Sequence, residues 1–72
     1  MTREVSIHNF SQVQHLVSTA CEYKDSVGVH DARGSIADAK SILGMMSLDY
    51  TRPVRIVSDN ESVLVECVNA VH

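Results

Sequence analysis

Three features of this 72-residue chain predict a two-layer α+β domain, a four-stranded antiparallel sheet covered on one face by three helices. Short stretches alternate apolar and polar residues, around Val5 and Ile7, Val27 and Val29, and Val54 to Val57. Two longer stretches instead place apolar residues at i, i+3, i+4 and i+7: Val13, Leu16, Val17 and Ala20, then Leu64, Cys67, Val68 and Val71. Turn residues separate the segments, giving the order β-α-β-β-α-β-α over one domain spanning residues 1–72.

The first strand is expected over Arg3 to His8, with Val5 and Ile7 on the buried face. Ser11-Gln12-Val13-Gln14 fits a capping box, serine at the cap and glutamine three residues on, so the first helix should start there and run to about Tyr23. Lys24-Asp25 turns the chain into a strand over Ser26 to His30. Asp31-Ala32-Arg33-Gly34 is a hairpin connection in which Gly34 is free to take positive φ. A short strand over Ser35 to Ala37 follows, and Asp38 is expected to cap the middle helix, Ala39 to Leu48. Pro53 suits the first residue of the last strand, Val54 to Ser58, because that position needs no N–H. Ser58-Asp59-Asn60-Glu61 then caps the last helix.

Composition narrows the function. The formal net charge is −3, and Arg3, Lys24, Arg33, Lys40, Arg52 and Arg55 do not cluster. With only Phe10, Tyr23 and Tyr50 as aromatics, neither a nucleic acid nor an anionic membrane surface is expected as a partner. No apolar run approaches the roughly 18 residues of a membrane span. The opening Met1-Thr2-Arg3-Glu4 lacks the pattern of a signal peptide, so a cytoplasmic protein is expected. Cys21 and Cys67 both lie in apolar helical contexts and read as free, buried thiols. The four histidines lack a metal-site spacing with the cysteines, and neither metal nor cofactor is expected. A chain of this size buries about 60% of its unfolded surface, which leaves little room for a catalytic cleft. A monomeric binding protein, not an enzyme, is the expectation.

The middle helix, Ala39-Lys40-Ser41-Ile42-Leu43-Gly44-Met45-Met46-Ser47-Leu48, is apolar almost all the way round. At 100° per residue, Ile42, Met46 and Leu43 lie about 100°, 140° and 200° round from Ser41, whereas Met45 and Leu48 lie at about 40° and 340°. One helix on one sheet buries one such set fully. The other is either core in a curved layer or a surface for a partner, and exposed methionine suits adaptable binding.

This segment and the element order resemble the histidine-containing phosphocarrier protein (HPr) family of the bacterial sugar phosphotransferase system. Gram-positive members carry a similar Lys-Ser-Ile-Met-Gly-Val-Met-Ser-Leu stretch. The resemblance implies an open-faced β-sandwich. It also implies a histidine just before the first helix that accepts phosphate from an upstream enzyme, and a regulatory serine in the middle helix phosphorylated by a dedicated kinase. Ser41 matches that serine, and Ile42, Leu43 and Met46 match the family's exposed docking patch. The partners implied are an HPr kinase-type enzyme, phosphotransferase-system enzymes or a transcription regulator.

The family's active-site loop, Gly-Leu-His-Thr-Arg-Pro-Ala, is not kept. The corresponding stretch is Ser6-Ile7-His8-Asn9-Phe10-Ser11-Gln12-Val13, and aligned from the first helix Asn9 falls at the histidine position. His8, one residue away, is the candidate phosphate acceptor. It would need a free ring nitrogen and donors for the phosphate charge, which helix N-terminal amides can supply. Three readings follow: a non-catalytic regulatory or interaction protein switched at Ser41, a phosphocarrier using His8, and a structural subunit with no phosphate chemistry.

Overall fold

The computed structural model describes all 72 residues, with β1 (Thr2–Val5), α1 (Phe10–Cys21), β2 (Gly28–His30), β3 (Ile36–Asp38), α2 (Ile42–Met46), β4 (Val54–Val57) and α3 (Glu61–Ala70). The sheet order is β1-β4-β2-β3 and every neighbouring pair is antiparallel. This is the open-faced α+β sandwich expected from the sequence.

Directly opposed residues of an antiparallel pair share a face. Val5 opposes Val54, and Ile56 opposes Val29, which in turn opposes Ala37. All five are buried beneath the helices. The alternate row, Glu4, Arg55, His30 and Ile36, lies on the open face. Leu16, Leu64, Met45 and Cys67 come down from the helices and are inaccessible to solvent. The hairpin turns at Gly34, whose φ of +89° only glycine adopts freely.

Several local expectations are corrected. Helix α1 is capped by Asn9, not Ser11. Asn9 is extended, its Oδ1 accepts the Gln12 N–H at 2.9 Å, and Gln12 Oε1 accepts the Asn9 N–H at 3.2 Å. Asn9-x-x-Gln12 and Ser11-x-x-Gln14 fit the same template. The earlier frame has an added tie, because Gln12 Nε2 also donates to the Val71 carbonyl at 2.8 Å. Helix α1 ends at Cys21, with Glu22 as its C-cap, and Cys21 is exposed, not buried. It lies about 100° round from Ala20, off the stripe that Val13, Leu16 and Ala20 bury.

Asp38 does not cap α2. It is the last residue of β3 and pairs with Gly28, while Ala39 donates to the Val27 carbonyl at 2.9 Å. The Asp38 side chain instead stabilises a turn, accepting the Lys40 N–H at 2.9 Å. Helix α2 therefore starts later and has five residues, and Ser41 is its N-cap, not a residue inside its first turn. Helix α3 is capped by Asn60, whose Oδ1 accepts from Ser62 and Val63. Ser58 Oγ accepts the Asn60 N–H at 3.2 Å and so orients that cap.

Candidate functional site

The segment after β1 buries Ile7 and then turns at Asn9 into α1. That places His8 on the surface at the start of the helix. Shifting the cap to Asn9 also makes Phe10 the first helical residue, and it stands half exposed. Across from it, α2 turns Met45 into the core and leaves Met46 57% exposed. The chain leaving α2 supplies Tyr50 and Thr51. Together Ile7, His8, Asn9, Phe10, Val13, Met46, Tyr50 and Thr51 line a concavity of about 530 Å³. Its walls are mainly apolar and include no lysine or arginine.

The predicted site residues are thus brought only partly together. His8 and Met46 line the same groove, whereas Ser41, Ile42 and Leu43 do not. Leu43 is 79% exposed, the most exposed large apolar side chain of the molecule. Ile42 is half-buried and packs against the core, so the outer face of α2 rests on Leu43 and Met46. Ser41 is exposed and its Oγ accepts the Gly44 N–H at 3.2 Å. A side chain at Gly44 would stand 3.3 Å from that oxygen, so glycine there keeps the space round Ser41 open.

At the first turn of α1, the N–H groups of His8, Asn9 and Gln12 already donate to the reciprocal side chains of Asn9 and Gln12. His8 also borders a second concavity of about 500 Å³, with Glu4, Gln12 and His72 among its lining and again no lysine or arginine.

The Tyr50 wall is electrostatically defined. The Tyr50 hydroxyl donates to the Met45 carbonyl at the end of α2. Burial, with the negative charge of Asp31 nearby, pushes the Tyr50 phenol up to about 12, so it remains a donor at neutral pH. Asp31 is itself buried, at 6% exposure. Its carboxylate accepts the N–H of Asp49 at 2.9 Å, Ser35 at 2.8 Å and Arg33 at 3.0 Å. These bonds, led by that from Asp49, hold its carboxyl below the usual range against the opposing effect of burial. The Thr51 hydroxyl and amide do the same for Asp49, with Arg33 and Arg52 contributing charge.

Phe10, Tyr50, Thr51 and Asp31 were not singled out from the sequence. Phe10 stands three residues before Val13, at helical spacing, a signal hidden by the assumed cap at Ser11. Asp31 has the ordinary identity of a hairpin residue, and nothing local marks its bond to Asp49.

No protein-family model and no curated protein matches this chain. Among solved structures, the crystal structure of HPr-C-His from Thermoanaerobacter tengcongensis is similar, with a TM-score of 0.72. The match covers 99% of this chain and 93% of that one at 20% sequence identity. No helix is long and apolar enough to cross a membrane. With its β-α-β-β-α-β-α order and the β1-β4-β2-β3 sheet, the chain has an HPr-like fold.

Proposed function

We propose that this chain is a regulatory or interaction protein related to the sugar phosphotransferase system, which docks protein partners through Leu43, Met46 and the adjoining groove. One observation carries the reading. Leu43 and Met46 on one short helix, and Phe10 lining the same groove as Met46, are large apolar side chains left at least half exposed. Exposed apolar surface beside a concavity favours a partner. Ile42, matched to the family's patch, is half-buried against the core.

Ser41 is proposed as the regulatory phosphorylation site. Its hydroxyl is exposed at the cap of the docking helix, so a phosphate would add charge at the start of α2 without entering the core. A capping oxygen already accepts from Gly44, and a phosphate oxygen can take over that role. Partners of this chemistry are an HPr kinase-type enzyme, phosphotransferase-system enzymes or a transcription regulator.

Histidine phosphotransfer is not proposed as the main activity, because Asn9 holds the cap position where the family places its histidine. Three of the nearby amides are also committed to the capping box. The alternative reading, His8 as acceptor from the upstream phosphotransferase-system enzyme, is favoured by its exposure beside the groove.

Titration of the isotopically labelled chain with an HPr kinase-type enzyme tests the docking surface. Resonances of Phe10, Leu43, Met46 and Tyr50 should move, and Leu43→Asp should abolish the effect. Changes confined to the open face of the sheet, around Arg55 and Ile36, would contradict the proposal.

A further inference from the structure

We infer that Asp31 is a positioning residue for the groove: its carboxylate latches the chain segment carrying Tyr50 and Thr51 to the hairpin between β2 and β3. Its use in docking rests on the reading above, but the latch is a property of the free protein.

The geometry divides the carboxylate between two loops. Oδ1 accepts from Arg33 and Ser35 and so organises its own hairpin, which the Gly34 N–H closes onto the Asp31 carbonyl at 3.2 Å. Oδ2 faces the other way and accepts the N–H of Asp49, 18 residues on. Asp49 stands directly before Tyr50 and Thr51, which form one wall of the groove. The connection from α2 to β4 belongs to no helix or strand. Leu48 anchors its start in the core, and Tyr50 ties back to Met45. The Asp49 bond fixes the stretch between these anchors to the sheet side of the molecule.

A hairpin alone does not require this residue. An asparagine or serine satisfies local turn amides with a single oxygen. Burying a carboxylate is costly unless both oxygens are used, and Asp31 is the one charged side chain among the buried residues. Its second oxygen is used by the groove segment. Asparagine offers one acceptor oxygen and an NH₂ group that is only a donor. It can therefore serve the hairpin or Asp49, but not both.

The test is amide hydrogen exchange on the full chain, wild type against Asp31→Asn. In the wild type the Asp49 amide should be protected although it lies in a loop, and a freely exchanging Asp49 amide overturns the inference without any variant. In Asp31→Asn this amide should exchange about tenfold faster or more. The Tyr50 ring and Met46 methyl signals should shift, while amides of β1, β4, α1 and α3 keep their protection. Unchanged exchange at Asp49 overturns the latch. An even loss of protection across the sheet and helices overturns the positioning role, since Asp31 then acts on global stability alone. A failed docking titration alters none of these rates, so the two proposals fail separately.

Discussion

Helices α1 and α2 both begin at a side-chain cap, Asn9 and Ser41, yet they meet the molecule in different ways. Over its 12 residues α1 buries Val13, Leu16 and Ala20 and turns Gln14, His15 and Ser18 to solvent. Between its ends its apolar side chains belong to the core, and only Phe10 at the start and Cys21 at the end stand outside it. In five residues α2 buries Met45 and leaves Leu43 and Met46 outside. The first helix is a stabilising element with a solvated face. The second is anchored by Met45 and the half-buried Ile42, with Leu48 beyond them, and presents Leu43 and Met46. A short, sparsely buried helix contributes little to stability, so its surface residues are free to serve binding.

Core truncation should separate the two helices most widely. Leu16→Ala removes a side chain with no solvent exposure and should cost about 2–5 kcal/mol in urea denaturation. That is a large share of the total of roughly 4–10 kcal/mol expected for a domain of this size. Leu43→Ala should change stability by no more than about 0.5 kcal/mol. A large loss at Leu43 would mean that the outer face of α2 is structural after all.

The caps should differ next. Asn9→Ala breaks a reciprocal pair and should cost about 1 kcal/mol, whereas Ser11→Ala should be almost neutral. Equal effects at Asn9 and Ser11 would move the start of α1.

Acid gives a smaller and more local contrast. Asp31 and Asp49 are both held below their ordinary value of 3.8 in the folded chain, so the unfolded chain binds protons more readily. Their contribution is therefore complete above about pH 5 and declines as pH falls through 3.8 and below. Asp31→Asn should flatten the acid limb of a stability profile, while Leu43→Ala should leave its shape unchanged.

Much of the scaffold was legible because hydrophobic period survives small errors of boundary. Val13, Leu16 and Ala20, and likewise Leu64, Cys67 and Val71, are buried in the register their spacing predicts. Gly34 turns the hairpin as its position suggests. What escaped was decided by competition between equally plausible local partners. Asn9 and Ser11 each had a glutamine three residues on, and a contact with Val71 from far along the chain accompanies the winner. Asp38 has the identity of a helix cap, but pairing with Gly28 draws it into the sheet. That shortened α2 and turned Ser41 into the cap. The groove was less legible still, because Phe10, Met46 and Tyr50 come from separate segments and meet only once the fold is made.

One labelling comparison decides whether this is a docking module in which serine rather than histidine carries the phosphate chemistry. The chain is incubated with phosphoenolpyruvate and the upstream phosphotransferase-system enzyme, or with ATP and an HPr kinase-type enzyme, and the phosphorylated residue is located by mass spectrometry. An acid-stable phosphate on Ser41 from ATP, absent in Ser41→Ala, is expected, with no transfer from phosphoenolpyruvate. An acid-labile phosphate that arises from phosphoenolpyruvate and is lost in His8→Ala would contradict it.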